Sequence, residues 1–278
     1  MKDRVKDMFN LSGKVAVITG GAGLLGSKHA EAIAEMGGIP ILLDMDEEKL
    51  KEKAAYLREK YSAECDGILA DITSKSQILS AVGQILEKYH EVDILVNNAA
   101  LTVKRGSEKF KDYFASFEEY PLDLWEMALR VNLTGTFLVT QAIGKEMVKQ
   151  GKGVILNIAS DVGVISPDHR IYRKTADYKG MPFNTPISYS VSKAALIHFT
   201  KYLATYWADK NIRVNSLSPA GVYDGHDPEF VKKLTNLIPL GRMADRDEYK
   251  GAIVFLVSDA SSFMTGANLI IDGGRTCW

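Results

Sequence analysis

Cysteine is nearly absent: the 278 residues hold two, Cys65 and Cys277. Two thiols cannot make a disulfide framework, and neither has a histidine or cysteine at metal-ligand spacing. Both therefore read as free thiols, Cys65 in or near a strand, and no metal is expected. Net charge is nearly absent too, at -1 from 34 basic and 35 acidic side chains. So even a balance excludes a general nucleic-acid or membrane surface and leaves room only for local basic patches. No run approaches the ~20 apolar residues of a membrane span. Met1 to Asn10 mixes charges with Val5, Met8 and Phe9 where a secretory signal needs an apolar stretch, so the expected location is cytoplasmic. Repeats, low-complexity tracts and linkers are also lacking, which leaves a single domain over residues 1–278 as the expectation. What is present, 46% hydrophobic and 25% charged residues, suits one large α/β domain with a sizeable core.

Read for period, short apolar runs alternate with helical stretches. Strands are expected at Val15–Thr19, Ile39–Asp44, Gly67–Ala70, Ile94–Asn97, Val154–Ile158, Arg213–Ser218 and Leu269–Asp272. Helices are expected at Leu24–Met36, Glu47–Tyr61, Lys75–Tyr89, Leu122–Lys149, Ser188–Ala208 and Asp247–Ser258. Such alternation implies right-handed crossovers and a Rossmann-like, doubly wound parallel sheet of about seven strands with helices on both faces. Three long stretches, near 101–121, 163–186 and 220–240, each follow a strand. They should gather at the carboxyl edge, where open α/β sheets bind ligands.

The first strand runs into Thr19-Gly-Gly-Ala-Gly-Leu-Leu-Gly26. Glycines at 21, 23 and 26 fit a dinucleotide turn: the bend is tight, backbone can approach a pyrophosphate, and the next helix offers its N-terminus. A purely structural turn is the alternative. The second strand ends at Asp44, 18 residues past Gly26. A carboxylate there can accept from both adenosine ribose hydroxyls but repels a 2′-phosphate, which favours NAD over NADP.

Tyr189 and Lys193 lie four apart on an expected helix, hence on one face. A phenol titrating near pH ~10 is a poor base at neutrality, but a neighbouring ammonium favours the phenolate and lets it exchange a proton. Ser160 and Asn132 precede the pair. Each has a bland alternative: a packed ring beside a solvated ammonium, a turn-capping serine, an asparagine bonded to a helix backbone.

Taken in order, these motifs resemble the short-chain dehydrogenase/reductase family over essentially the whole chain. Asp71-Ile72 resembles the pair that contacts adenine, and Asn97-Asn98-Ala99-Ala100 the segment ending the fourth strand. Asn132, Ser160, Tyr189 and Lys193 match the catalytic residues, Pro219-Ala-Gly221 the turn beside nicotinamide, and Asp272-Gly-Gly274 the C-terminal strand ending. The resemblance implies cofactor contacts at Gly20, Gly23, Leu25, Gly26, Asp44, Met45, Asp71, Ile72, Asn98, Ala99, Ala100, Tyr189, Lys193, Pro219, Gly221 and Val222. It implies hydride transfer between nicotinamide and a carbinol or carbonyl carbon. Tyr189 would exchange the proton, Lys193 would lower its pKa and hold the nicotinamide ribose, Ser160 would bind the substrate oxygen, and Asn132 would position a water. A homodimer or homotetramer is implied as well. Leu24 stands where the shorter branch of the family has glycine, Ala100 replaces a glycine, and Asp224 stands about where many members carry a nicotinamide-binding threonine.

Twenty-eight residues separate Ser160 from Tyr189, more than a simple member needs. Arg170, Arg173 and Lys174 in this insertion are candidates for binding a substrate phosphate or carboxylate, and Lys104, Arg105, Lys109 and Lys111 sit in another long loop. A solvated loop face is the alternative. Together with the Pro-Ala-Gly-Val-Tyr-Asp turn, the chain most resembles oxidoreductases of flagellin modification and sialic-acid-like (nonulosonate) sugar pathways. That implies a phosphorylated or nucleotide-linked sugar as the small-molecule substrate. Two alternatives remain: a reductase of acyl thioesters or small ketones, against which Asp44 argues, and a catalytically silent NAD-binding sensor or scaffold, against which the intact Asn132, Ser160, Tyr189 and Lys193 argue.

Overall fold

Seven strands pair in parallel in the order β3-β2-β1-β4-β5-β6-β7. They are β1 (Val15–Thr19), β2 (Ile39–Asp44), β3 (Asp66–Leu69), β4 (Ile94–Asn97), β5 (Gly153–Ile158), β6 (Ile212–Pro219) and β7 (Asn268–Ile271). The computed structural model describes residues 4–101, 103, 110–172 and 184–278. Its helices are α1 (Leu24–Glu35), α2 (Glu47–Tyr61), α3 (Lys75–Tyr89), α4 (Phe110–Tyr113), α5 (Leu122–Leu129), α6 (Thr136–Gln150), α7 (Ile187–Tyr206), α8 (Pro228–Thr235) and α9 (Lys250–Val257).

Side chains alternate across the pleat, so each central strand feeds two cores. Ala16, Ile18, Leu42 and Val96 pack with Ile33 of α1, Leu50 and Leu57 of α2, and Ile253 of α9. Val15, Val17, Ile41 and Leu95 pack on the opposite face with Ile78 of α3, Ile143 of α6 and Leu203 of α7. This two-sided burial is why the strands read as unbroken apolar runs.

β1 pairs with β2 on one side and with β4 on the other, so the chain reverses its direction of travel across the sheet there. The connections leaving β1 and β4 therefore part and open a crevice at their carboxyl ends. A buried polar strut braces that region. Asn97 Nδ2 donates to Asn157 Oδ1 on β5 and to Thr140 Oγ1 on α6, each at 2.9 Å, and Asn157 Nδ2 donates to Thr200 Oγ1 on α7 at 2.8 Å. Two strands and two helices are thereby fixed in register.

The expected single helix over Leu122–Lys149 is a correction. It is split by a wide π turn over Arg130–Gly135. Wide turns arise where side chains draw the backbone out of its ladder; here the Asn132 amide reaches out of the helix and Thr136 Oγ1 donates to the Asn132 carbonyl at 2.9 Å. The 220–240 stretch was expected as loop alone and contains α8, which Asp227 caps by accepting from the N–H groups of Glu229 and Phe230, with Pro228 in the first turn. The last helix begins at Lys250, three residues later than its period suggests, because Asp247 closes a turn instead, its carbonyl accepting from Lys250 N.

Candidate active site

The glycine turn sits in the crevice after β1. A Cβ on Gly26 would lie 2.1 Å from the Gly20 carbonyl oxygen and 2.8 Å from Asn98 Nδ2, so only hydrogen fits. Gly20 itself has φ of 62°. The turn is tied to the end of β4: Thr19 Oγ1 accepts from Asn98 N and Ala99 N, and Asn98 Nδ2 donates to the Thr19 and Gly20 carbonyls. Helix α1 follows Gly23, which caps it without a side chain. The N–H groups of its first turn, among them Leu25 and Gly26, thus point at the crevice as an anion site. A backbone cradle that a Cβ would fill, facing a helix N-terminus free of a side-chain cap, fits a dinucleotide pyrophosphate.

Asp44 stands beside the turn. Its Oδ2 accepts from Ala22 N at 3.1 Å and its Oδ1 from Met45 N at 2.8 Å and Asp46 N at 3.2 Å. The carboxylate thus fixes the turn and leaves its negative charge at the rim, next to the exposed Met45. Asp71 Oδ1 accepts from Thr73 N, and the buried Ile72 lies where a Cβ on Gly135 would meet it at 2.7 Å. Ala100 follows β4 directly. On the far side Pro219 ends β6, Gly221 accepts from Ala244 N, and Val222 bridges to Ala244. Asp224 is engaged by Arg246, Nη2 to Oδ1 at 2.6 Å.

Ser160, Tyr189 and Lys193 meet at the next edge position. Ser160 follows β5; its Oγ accepts from Val162 N at 3.4 Å and donates to Asp161 Oδ1 at 3.0 Å, and it lies close enough to the Tyr189 phenol to draw its pKa down. It both caps a turn and faces the tyrosine. Gly163 makes that approach possible, since a Cβ there would lie 2.7 Å from the Lys193 carbonyl carbon. The Lys193 side chain is buried, its Nζ 5.6 Å from the Tyr189 ring centroid and donating to the Ile158 carbonyl at 2.6 Å.

Burial acts on both members of the pair. Burial pushes the Tyr189 phenol above its ordinary value, with Ser160 acting downward and Asp161 upward. Burial also pulls the Lys193 ammonium down to about 8. Below pH 8 the lysine still carries its charge, at the cost of its desolvation. Lys193→Met gives a direct check. The folded pKa lies below the ordinary 10.5, so the desolvation cost is complete below pH 8 and vanishes as pH rises through 10.5. The gap corresponds to about 3 kcal/mol, less ~1 kcal/mol for the lost bond to Ile158. Cofactor-free Lys193→Met should be about 2 kcal/mol more stable than the parent at pH 7 in chemical denaturation, with the advantage lost near pH ~10 and the parent about 1 kcal/mol the more stable above pH ~10.5. A pH-independent difference would refute the shift.

Asn132 is committed by its side chain. Its Oδ1 accepts from Leu101 N at 2.7 Å and its Nδ2 donates to Ser192 Oγ at 2.9 Å. It clamps the segment after β4 to α7 at the residue directly before Lys193. Its backbone partner is the Leu101 amide of the segment after β4, not the backbone of a helix.

The sequence reading missed the partner of Asp161. Arg275 Nη1 donates to Asp161 Oδ2 at 2.6 Å, both side chains buried. A charged residue directly after Ser160 was the available signal; its partner 114 positions away had none.

The described parts of the three long stretches do meet. Val162–His169 and Ala115–Glu118 share a cavity of about 640 Å³ with Val191 and Ala194 on the far side of α7 from Tyr189. The Tyr172 ring stacks on Phe230 of α8, centroids 5.6 Å apart, and Ile171 joins Leu234, Ile238 and Met243 in a small separate core. Arg170 is exposed, its guanidinium held by Asp168 through Nε to Oδ1 at 2.9 Å and Nη2 to Oδ2 at 2.7 Å. Arg173 and Lys174 lie outside the described residues, as do Lys104, Arg105 and Lys109. Lys111 is exposed. Among the described residues no helix is long and apolar enough to cross a membrane.

Comparison with known proteins gives this geometry its family. A family model described as enoyl-(acyl carrier protein) reductase matches residues 21–276. An NAD-dependent glycerol dehydrogenase of Listeria innocua is 36% identical over 276 residues, 96% of either chain. A post-translational flagellin modification protein A of Campylobacter coli is 32% identical over 95% of this chain and 98% of its own. The crystal structure of a gluconate 5-dehydrogenase from Burkholderia cenocepacia, in complex with NADP and tartrate, matches with a TM-score of 0.85 at 30% identity, covering 99% of this chain and all of that one. With a parallel seven-stranded sheet and a family match over nearly its whole length, the chain belongs to the short-chain dehydrogenase/reductase family of NAD(P)-dependent oxidoreductases.

Proposed function

We propose that this protein transfers hydride between NAD and a carbinol or carbonyl of a polyhydroxylated small molecule, a polyol or a sugar. The observation that carries the reading is the placement of Lys193 beside the Tyr189 ring, Nζ 5.6 Å from its centroid, with the turn that follows Ser160 packed closely on α7, at the carboxyl edge of the sheet beside the glycine turn. The nicotinamide supplies hydride acceptance or donation when bound. Tyr189 gives or takes the proton at the substrate oxygen, and Ser160 hydrogen-bonds that oxygen. Lys193 is anchored to the Ile158 carbonyl with its Nζ 5.6 Å from the Tyr189 ring centroid, and would serve the tyrosine and the nicotinamide ribose. Asn132 holds the segment after β4 in place, and a water linking the lysine to solvent would find the Asn132 carbonyl in the widened turn.

The glycine turn with Leu25 and Gly26, Asn98, Ala99 and Ala100 after β4, Asp71 and Ile72 after β3, and Pro219, Gly221 and Val222 after β6 would hold the cofactor. The charge of Asp44 beside Ala22 opposes a 2′-phosphate and favours NAD. The glycerol dehydrogenase relative supports a neutral polyol, and so does the Arg170 guanidinium, already neutralised by Asp168. A second reading, a phosphorylated or nucleotide-linked sugar in surface-glycan or flagellin modification, is favoured by the Campylobacter relative and by the cations at 170–174. A cytoplasmic homodimer or homotetramer completes the proposal; the exposed Phe137, Tyr202 and Tyr206 on α6 and α7 support a subunit contact.

The test is a spectrophotometric panel: NAD or NADP with polyols, free sugars, and phosphorylated or nucleotide-linked sugars. Turnover with polyols and NAD is the expected result, and Asp44→Ala should narrow the preference for NAD by about tenfold. Preference for nucleotide-linked sugars would select the second reading. Equal use of NADP would remove the role of Asp44, and no turnover with any carbinol or carbonyl would sink the whole proposal.

A further inference from the structure

The buried ion pair beside the candidate site is unusual in where it places its charges. Asp161 follows Ser160 directly and is almost fully enclosed, and its two oxygens have separate duties. Oδ1 accepts from Ser160 Oγ at 3.0 Å and from Val162 N at 2.8 Å, while Oδ2 accepts from Arg275 Nη1 at 2.6 Å. Arg275 is delivered by a built turn. The Asp272 carboxylate accepts from Gly274 N at 2.9 Å and Thr276 N at 2.7 Å, and Gly273 and Gly274 take positive φ of 65° and 89°. A Cβ on Gly274 would lie 2.8 Å from Pro239 Cγ, so the turn is pressed against the segment after α8. The last strand's exit is thus shaped to carry one guanidinium inward to the residue after Ser160.

Ser160 has one hydroxyl proton and two neighbours that want it. When the proton points at Asp161, the Ser160 oxygen meets Tyr189 as an acceptor; when it turns away, it can serve an oxyanion. A bare buried carboxylate would hold the proton fast and set a full negative charge near the phenol. A guanidinium on the opposite oxygen spreads that charge and loosens the hold.

We propose that Asp161 and Arg275 are a positioning pair: Asp161 orients the Ser160 hydroxyl, and Arg275 screens the Asp161 charge from Tyr189 so that Ser160 and Tyr189 can both serve the substrate oxygen. This rests on the reading of Tyr189 as the acid-base group. The charged and titratable groups facing the pair are Tyr249 at the start of α9, Tyr172 of the insertion and Tyr189 of α7; Lys193 and Tyr113 face Tyr189 itself. Among these, Arg275 is the group whose removal exposes Asp161. The influence of Asp161 on the Tyr189 phenol is upward, as the screening role requires.

The experiment is the pH profile of kcat/KM for carbinol oxidation, with melting temperature measured in parallel. Arg275→Met should move the acidic limb to higher pH by about one pH unit and lower kcat at pH 7 about tenfold or more, with the cofactor KM within about twofold. Arg275→Lys should recover most of both. The neutral pair Asp161→Asn with Arg275→Met leaves no buried charge and should place the limb at or below the parental position; it also serves if the single variant fails to fold. A parental limb in Arg275→Met overturns the proposal, or, if that variant does not fold, a limb above the parental position in the paired variant; so does activity that falls only in step with melting temperature. Tyr189→Phe separates the layers: if it retains turnover, the acid-base reading fails; if it is inactive while the limbs stay parental, only the role of Asp161 and Arg275 fails.

Discussion

Tyr189→Phe should lower kcat by about 10²–10⁴-fold while leaving NAD affinity within about twofold, because a positioned acid or base is worth that much and the ring itself still packs. The phenol oxygen is the atom that meets Ser160, and Lys193 keeps its bond to the Ile158 carbonyl whether or not that oxygen is present. Folding should be unharmed, since deleting the hydroxyl removes a group whose burial already disfavours its charged form. Rates under saturating cofactor and NAD binding by fluorescence make the comparison. Turnover within tenfold of the parent would transfer the acid-base step to another group.

Gly26→Ala should cost about 100-fold or more in NAD affinity, and it should do so against the direction of helix propensity. Alanine in a helix normally gains ~0.5–1 kcal/mol over glycine. Here the added methyl would stand 2.1 Å from the Gly20 oxygen and 2.8 Å from Asn98 Nδ2, so either the turn opens or α1 moves away from it. Both outcomes displace the first-turn N–H groups from the crevice. Gly83→Ala is the matched control: it lies on the exposed side of α3 with open space around it and should stabilise by ~0.5–1 kcal/mol without changing binding. Calorimetry on both variants decides the matter. Equal NAD affinity in Gly26→Ala would show that the turn tolerates a methyl and that its glycine is not needed for the ligand.

The sheet was legible because its strands are buried on both faces. Val15–Thr19, Ile39–Asp44 and Ile94–Asn97 stand where their apolar runs place them, and α2 and α3 keep their expected limits. The split of the helix after Pro121 was hidden, since nothing in Arg130–Gly135 breaks a helical period; the cause is a tertiary demand of the Leu101 amide and Ser192 on one asparagine. α8 was hidden by its brevity, although Asp227-Pro228 is a start signal. The four candidate catalytic residues were legible as a set, by order and spacing. Their electrostatics were not, because the solvent exclusion that lowers Lys193 comes from packing, and the Asp161 to Arg275 pair joins residues 114 apart.

The small core under the insertion has a consequence for how substrate preference can change. Ile171 is buried with Leu234, Ile238 and Met243, and Tyr172 and Phe230 pack at its edge. Two of those side chains belong to one connection and four to another, separated by the whole of α7 and β6. Neither connection keeps its shape when the other is replaced, so transplanting residues 163–186 alone from a relative would expose one half-core and strand the other. The heritable unit of specificity is the two segments together, and swaps that carry both should give working chimeras where swaps of either alone give poorly expressed ones.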